Sequence, residues 1–177
     1  MVTSAGILKQ NKITSKEYSQ LIIDFIAMLK DSFPHNIISA VLYGSVAKGT
    51  AKKHSDIDIC LVFKELPHSR HKRTEIIFPL VKAIREKASY NNLYEKGYLP
   101  EFSPVLYTLE EIQDTKPIFL DMVDDGVILL DDGSFENKLR QLKNDLERLG
   151  SYKVILDDGS YYWVLKPHIK MGEIVSL

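Results

Sequence analysis

An apolar run, Ile37 to Leu42, enters a bend written Gly44-Ser45-Val46-Ala47-Lys48-Gly49, and a second apolar run opens on Ser55-Asp56-Ile57-Asp58. Short runs rich in Ile and Val, broken by Gly, Ser and Lys, predict two strands over about 36–43 and 56–64. Strand side chains alternate between faces, so Asp56 and Asp58 share one side while Ile57 and Ile59 share the other. Two carboxylates that close repel unless a cation stands between them. A hard divalent ion, which takes carboxylate and phosphate oxygens together, suits the pair: Mg2+, with Mn2+ as the alternative.

The bend supplies the opposite chemistry. Gly44 and Gly49 allow tight backbone conformations and close approach to a ligand. Turn amides together with the Ser45 hydroxyl make an anion cradle, and Lys48, Lys52 and Lys53 add positive charge. The segment 45–51 itself is expected to form a short helix. Two commoner phosphate motifs are excluded. The Gly44 to Gly49 spacing is that of a P-loop, but Thr50-Ala51 follows where Lys-Ser/Thr is required, and no G-x-G-x-x-G occurs.

Gly44-Ser45, Lys48-Gly49 and Ser55-Asp56-Ile57-Asp58 together resemble the signature of the nucleotidyltransferase superfamily that includes DNA polymerase beta, and above all its small prokaryotic members. Many of those carry Arg where this chain has Lys48, which keeps the charge but lacks the planar fork. The resemblance implies an α/β (α+β) fold, a mixed sheet flanked by helices. It implies catalytic, metal-holding carboxylates at Asp56 and Asp58, a third on a later strand, and nucleotide contacts from Gly44, Ser45, Lys48 and Ser55. Glu101, which opens the clearest strand after the second helix, is the expected third carboxylate, with Glu95, Glu110 and Glu111 in reserve. The implied reaction moves a nucleotidyl group from a nucleoside triphosphate to an acceptor and releases pyrophosphate. The acceptor is open among small molecules, RNA ends and protein side chains. Two other readings stand beside it: an antitoxin-type protein that binds a helical toxin partner and in some cases modifies it, and a nucleotide-binding module without catalysis.

Length and charge bound the rest. A chain of 177 residues with net charge −1 has no global basic field of the kind a dedicated nucleic-acid binder shows. The single cysteine, Cys60, excludes an intrachain disulfide and reads as a small core residue. No run of roughly 18 apolar residues and no signal peptide is found, so a cytoplasmic location without a membrane partner is expected.

In chain order, residues 1–12 read as a lead-in, and a helix starts at Thr14 with Glu17 completing a capping box. Tyr18, Leu21, Ile22, Phe25, Ile26 and Leu29 form its buried stripe. His68 to Arg73 reads as a solvated polar loop rather than a phosphate patch, and no zinc site is expected of its histidines. A helix over 74–89, a loop over 90–100, a strand over 101–108 and a helix over 109–123 restarting near Pro117 follow. Val127 to Leu130 is a further strand. Ser134 is expected to cap a helix to Leu149, whose apolar stripe suits the core, with a homodimer seam as the sharper alternative. Tyr152 to Leu156 and Tyr161 to Leu165 make a hairpin around Asp157-Asp158-Gly159-Ser160. Its aromatic residues are expected to pack the hairpin rather than stack a base, and 173–177 reads as a last strand. The expected division is a nucleotidyltransferase unit over 1–133 and a helix-plus-hairpin appendage over 134–177.

Overall fold

The computed structural model describes residues 15–170, 172–175 and 177. The expected cap at Thr14 and the lead-in 1–12 lie outside the described residues. A single 3-10 turn, Lys16–Tyr18, runs into α1 (Ser19–Ser32). All six stripe residues from Tyr18 to Leu29 are buried, because spacings of three and four keep one helix face on the sheet.

The central sheet is mixed, in the order β3-β2-β1-β4. Strand β1 (Ile37–Leu42) pairs antiparallel with β2 (Ile57–Phe63) and with β4 (Val127–Leu130). Strand β3 (Phe102–Thr108) pairs parallel with β2. A parallel neighbour needs a long crossover, and the crossover here is helical. It comprises α3 (Arg70–Ala83), a 3-10 turn (Ile84–Glu86) and α4 (Ala88–Glu95).

That crossover corrects the sequence reading. The helix expected over 74–89 begins at Arg70, after Ser69, and is over by Ala83, with Pro79 held inside it. Lys87 is extended, so the chain breaks there and restarts as α4 where a loop was expected. The polar run 68–73 is thus helical from Arg70 on, and Arg73 is buried rather than solvated. Its guanidinium donates to both carboxylate oxygens of Glu111, at 2.7 and 2.8 Å, and to the Leu106 carbonyl. A buried cation needs such a partner. The segment 109–113 is a turn rather than the start of the expected helix, although Thr108 and Glu111 exchange capping-box hydrogen bonds there: the Glu111 carboxylate accepts from the Thr108 backbone N–H and the Thr108 hydroxyl from that of Glu111. The helix proper, α5 (Pro117–Asp125), starts with Pro117 in its first turn, where the missing N–H does no harm.

The two sheet faces carry separate cores. Ile57, Ile59, Leu61 and Phe63 pack with α1 and with Ile77, Leu80 and Leu93 of the crossover; Phe25 stacks on Phe102 at 4.0 Å. On the other face Val41, Cys60 and Val62 meet Phe119 and Met122 of α5 and Phe135, Leu139, Leu142 and Leu146 of α6 (Ser134–Leu149). Cys60 is fully buried, and burial pushes its thiol up to about 12, which makes it the inert core residue expected. The α6 stripe is therefore core within the chain. Its cap is not Ser134: Asp131 accepts from the N–H groups of Phe135 and Glu136, and Asp132 from that of Ser134. The buried Ser39 hydroxyl donates to the same Asp131.

A separate two-stranded sheet closes the described chain: β5 (Tyr152–Ile155) against β6 (Tyr161–Val164). The strand expected over 173–177 is not formed among the described residues; Glu173 instead pairs with Lys166. No helix among the described residues is long and apolar enough to cross a membrane.

Candidate active site

Strand β1 ends at Leu42, and the chain turns at Gly44 into a five-residue helix, α2 (Gly44–Lys48), closed by Gly49. Gly44 has φ +71°, a left-handed conformation that costs an L side chain about 1–2 kcal/mol. It has a second reason to be glycine. A Cβ built there would overlap the Asp58 carboxylate, lying 3.1 Å from Cγ and 3.3 Å from Cβ of Asp58. The backbone agrees: the Tyr43 N–H donates to the Asp58 carbonyl at 3.0 Å. The bend and the second acid are thus in van der Waals contact.

Alternation along β2 sends Ile57 and Ile59 into the first core and leaves Asp58 on the α5 side with Cys60 and Val62. Asp56 is exposed just outside the strand, and Asp58 is half-buried. Burial raises the Asp58 pKa, the neighbouring Asp56 charge raises it further, and Ser103 pulls it the other way. Ser103 is the ladder partner of Asp58 on β3. Among the described residues no salt bridge involves Asp56 or Asp58. A pair of all-oxygen ligands whose mutual repulsion no protein cation relieves fits a hard divalent ion.

Glu101 stands one residue before β3, as Asp56 stands one before β2, and the Ile57 N–H donates to its carbonyl at 2.7 Å. Its carboxylate, however, is held by Arg85 and by the Tyr90 hydroxyl, which belong to the crossover on the first-core side. Among the described residues, no three His, Cys, Asp or Glu side chains are gathered to hold a metal. Of the reserves, Glu111 is committed to Arg73, whose guanidinium holds its carboxyl below the usual range.

The other expected nucleotide contacts sit as follows. Ser45 is half-buried on α2, and its carbonyl accepts from the Thr50 N–H. Ser55 accepts from the Lys52 N–H at 2.8 Å, so its hydroxyl shapes the turn before β2. That turn is pinned from outside by the Tyr18 hydroxyl on the Lys52 carbonyl and by Lys53 on the Lys96 carbonyl. Lys48 points toward the hairpin, with Nζ 3.4 Å from the Tyr161 hydroxyl and 3.6 Å from an Asp125 oxygen.

The sequence reading does not place Ser103, Asp121 and Asp125 beside the site, and puts Tyr161 in hairpin packing only, whereas its hydroxyl reaches Lys48 and Asp121. The β2–β3 register that pairs Ser103 with Asp58 has no local signal. The acids of α5 did carry one: Asp121, Asp124 and Asp125 crowd the last turns of a helix, where the dipole disfavours negative charge. Three acids in that position imply cations or donors brought by another element.

A family model described as a nucleotidyltransferase domain matches residues 22–157. A Methanocaldococcus jannaschii protein, named as a proposed protein adenylyltransferase, is 26% identical over 151 residues, spanning 84% of this chain and 94% of its own. Among solved structures, a chain of a toxin–antitoxin complex with AMP-PNP is similar at 20% identity and TM-score 0.47, covering 80% of this chain and 90% of that one. A chain of the Shewanella oneidensis complex of tri-AMPylated HEPN toxin with MNT antitoxin gives 16% identity and TM-score 0.45, over 73% and 88%. With the matched segment spanning most of its length, and the Gly44-Ser45 bend and the Asp56–Asp58 pair inside it, this chain belongs to the nucleotidyltransferase-domain family of transferases.

Proposed function

We propose that this protein transfers a nucleotidyl group, adenylyl first among the candidates, from a nucleoside triphosphate to a hydroxyl of a protein acceptor. The observation that supports the transfer chemistry is the contact between the Gly44 bend and Asp58, which brings the bend we read as an anion cradle against one of the two carboxylates. The name of the Methanocaldococcus jannaschii relative supports adenylyl as the group and protein as the acceptor.

In this reading the backbone of the bend and the Ser45 hydroxyl receive the outer phosphates, and Lys48 adds charge. Asp56 and Asp58 would hold Mg2+. Bound there, the ion neutralises charge on the phosphates and lowers the pKa of an attacking hydroxyl. The acceptor oxygen forms a bond to the α-phosphorus, the bond from that phosphorus to the bridging oxygen breaks, and pyrophosphate leaves. The hydroxyl proton passes to a carboxylate, for which we propose Glu101 once it exchanges Arg85 for the site. Releasing Arg85 costs little, because the Arg85–Glu101 pair is half exposed on both sides and such pairs are worth about 0–1 kcal/mol; the Tyr90 hydroxyl is released with it. In this reading the unit up to residue 133 carries the chemistry, and α6 packs on the second face of its sheet.

The test is incubation with α-labelled ATP, GTP, CTP and UTP, Mg2+, and separate protein, RNA and small-molecule acceptors. Label that enters protein and resists RNase, with ATP preferred, supports this reading. Label confined to RNA ends or to a small molecule overturns the protein acceptor while leaving the transfer chemistry in place.

A further inference from the structure

Around Tyr161 the hairpin meets the phosphate bend through a closed set of contacts. Its hydroxyl donates to Asp121 and accepts from Lys48. Lys48 Nζ also lies 4.8 Å from the ring centroid of Tyr161, and Lys153 Nζ lies 4.5 Å from the same centroid. Each acid at the end of α5 has one partner: Asp121 takes Tyr161, Asp124 takes Lys153 at 3.8 Å, and Asp125 takes Lys48. The register explains the geometry. Lys153 faces Trp163, and Tyr161 lies two residues before Trp163, so these three side chains share one hairpin face, with Lys153 and Tyr161 reaching α5, while Ile155, opposite Tyr161 at the turn end, is 72% exposed. Tyr162, on the other face, is 52% exposed.

We infer that Tyr161 is a positioning residue for nucleotide binding, acting through Lys48, and that Asp125 is a competitor for the same ammonium. The inference rests on the nucleotide reading proposed above and adds the hairpin to the nucleotide site.

The two partners of Lys48 differ in what they leave for a phosphate. Tyr161 gives its proton to Asp121 and offers Lys48 a lone pair and a ring face. The ammonium keeps its full charge and has further N–H donors to present. A long lysine side chain held in one place also has less conformational entropy to lose when the triphosphate arrives. Asp125 neutralises the ammonium, and a triphosphate must displace it. Removing Tyr161's hydroxyl therefore weakens nucleotide binding, whereas removing Asp125's charge strengthens it. Both effects require Lys48.

The experiment is calorimetric titration of the full chain with ATP in Mg2+, for wild type, Tyr161→Phe, Asp125→Asn, Lys48→Ala and the two doubles with Lys48→Ala. The expected result is a Kd about threefold higher in Tyr161→Phe, where one hydrogen bond is lost. In Asp125→Asn the Kd is about threefold lower, where one half-exposed ion pair is lost. Neither change survives in the Lys48→Ala background, because effects that pass through one group do not add. A Tyr161→Phe effect that persists at full size without Lys48 marks a structural role and overturns the inference. So does an unchanged Kd in both single variants when Lys48→Ala itself weakens binding. Asp125 lies on α5 rather than on the hairpin, so that arm reports even where Tyr161→Phe perturbs the hairpin. A wild type that does not bind ATP overturns the nucleotide reading, and this inference with it.

Discussion

Gly44 and Asp58 are packed so that no side chain can stand on the first without displacing the carboxylate of the second. One residue thereby fixes two things: the left-handed turn that starts α2 and the distance between bend and acid. Gly44→Ala is expected to destabilise the protein by about 2 kcal/mol, from the positive φ and from overlap in a filled space. It should also abolish nucleotide transfer. Urea unfolding measures the first and label transfer the second. Full activity in the alanine variant would show that this contact does not set the site.

Asp58 makes stability depend on pH in a definite direction. Its carboxyl is raised by burial and by Asp56, so the folded chain holds its proton to a higher pH than the unfolded chain does. Between the usual carboxylate range and the raised value the native state binds more protons, and its stability falls as pH rises. In chelator, urea midpoints should carry this falling component as pH rises above the usual carboxylate range in wild type. Asp58→Asn should lose it and be the more stable protein at neutral pH. Mg2+ should restore stability to wild type and not to the Asp56→Asn/Asp58→Asn double variant.

The buried faces of α1 and α6 are legible in the spacing of their apolar residues. The α1 stripe, both halves of the Gly-Ser bend and the alternation of β2 follow from spacing alone, and each stands where that spacing puts it. The crossover was misread because Lys87 breaks the helix without Gly or Pro to mark it, and because Arg73 looks solvated until Glu111 arrives from 38 residues away. Long-range partners of this kind leave no local periodicity. The same holds for Tyr161 and Lys48, which are 113 residues apart.

Leu142 separates a core helix from a helix that awaits a second copy. It is buried within the chain against the second face of the sheet. Leu142→Ala should cost about 3 kcal/mol in urea unfolding at any protein concentration, as cavity-forming changes do. A midpoint that shifts with concentration, with loss of a dimer in sedimentation, would return α6 to the role of a seam.

Glu101 is a proposed third carboxylate whose side chain now rests on Arg85 and Tyr90. Glu101→Gln should lower kcat about 100-fold with little change in the Kd for ATP, as expected for a lost proton acceptor. A fall of less than about threefold would leave Glu101 as an anchor for the crossover.

The most direct measurement compares wild type with Asp56→Asn/Asp58→Asn for label transfer from α-labelled triphosphate in Mg2+, both proteins first shown to be folded. The account predicts transfer with pyrophosphate release in wild type and loss of at least about 100-fold in the double variant, the chemistry being metal-held. Equal transfer by the two proteins would contradict it.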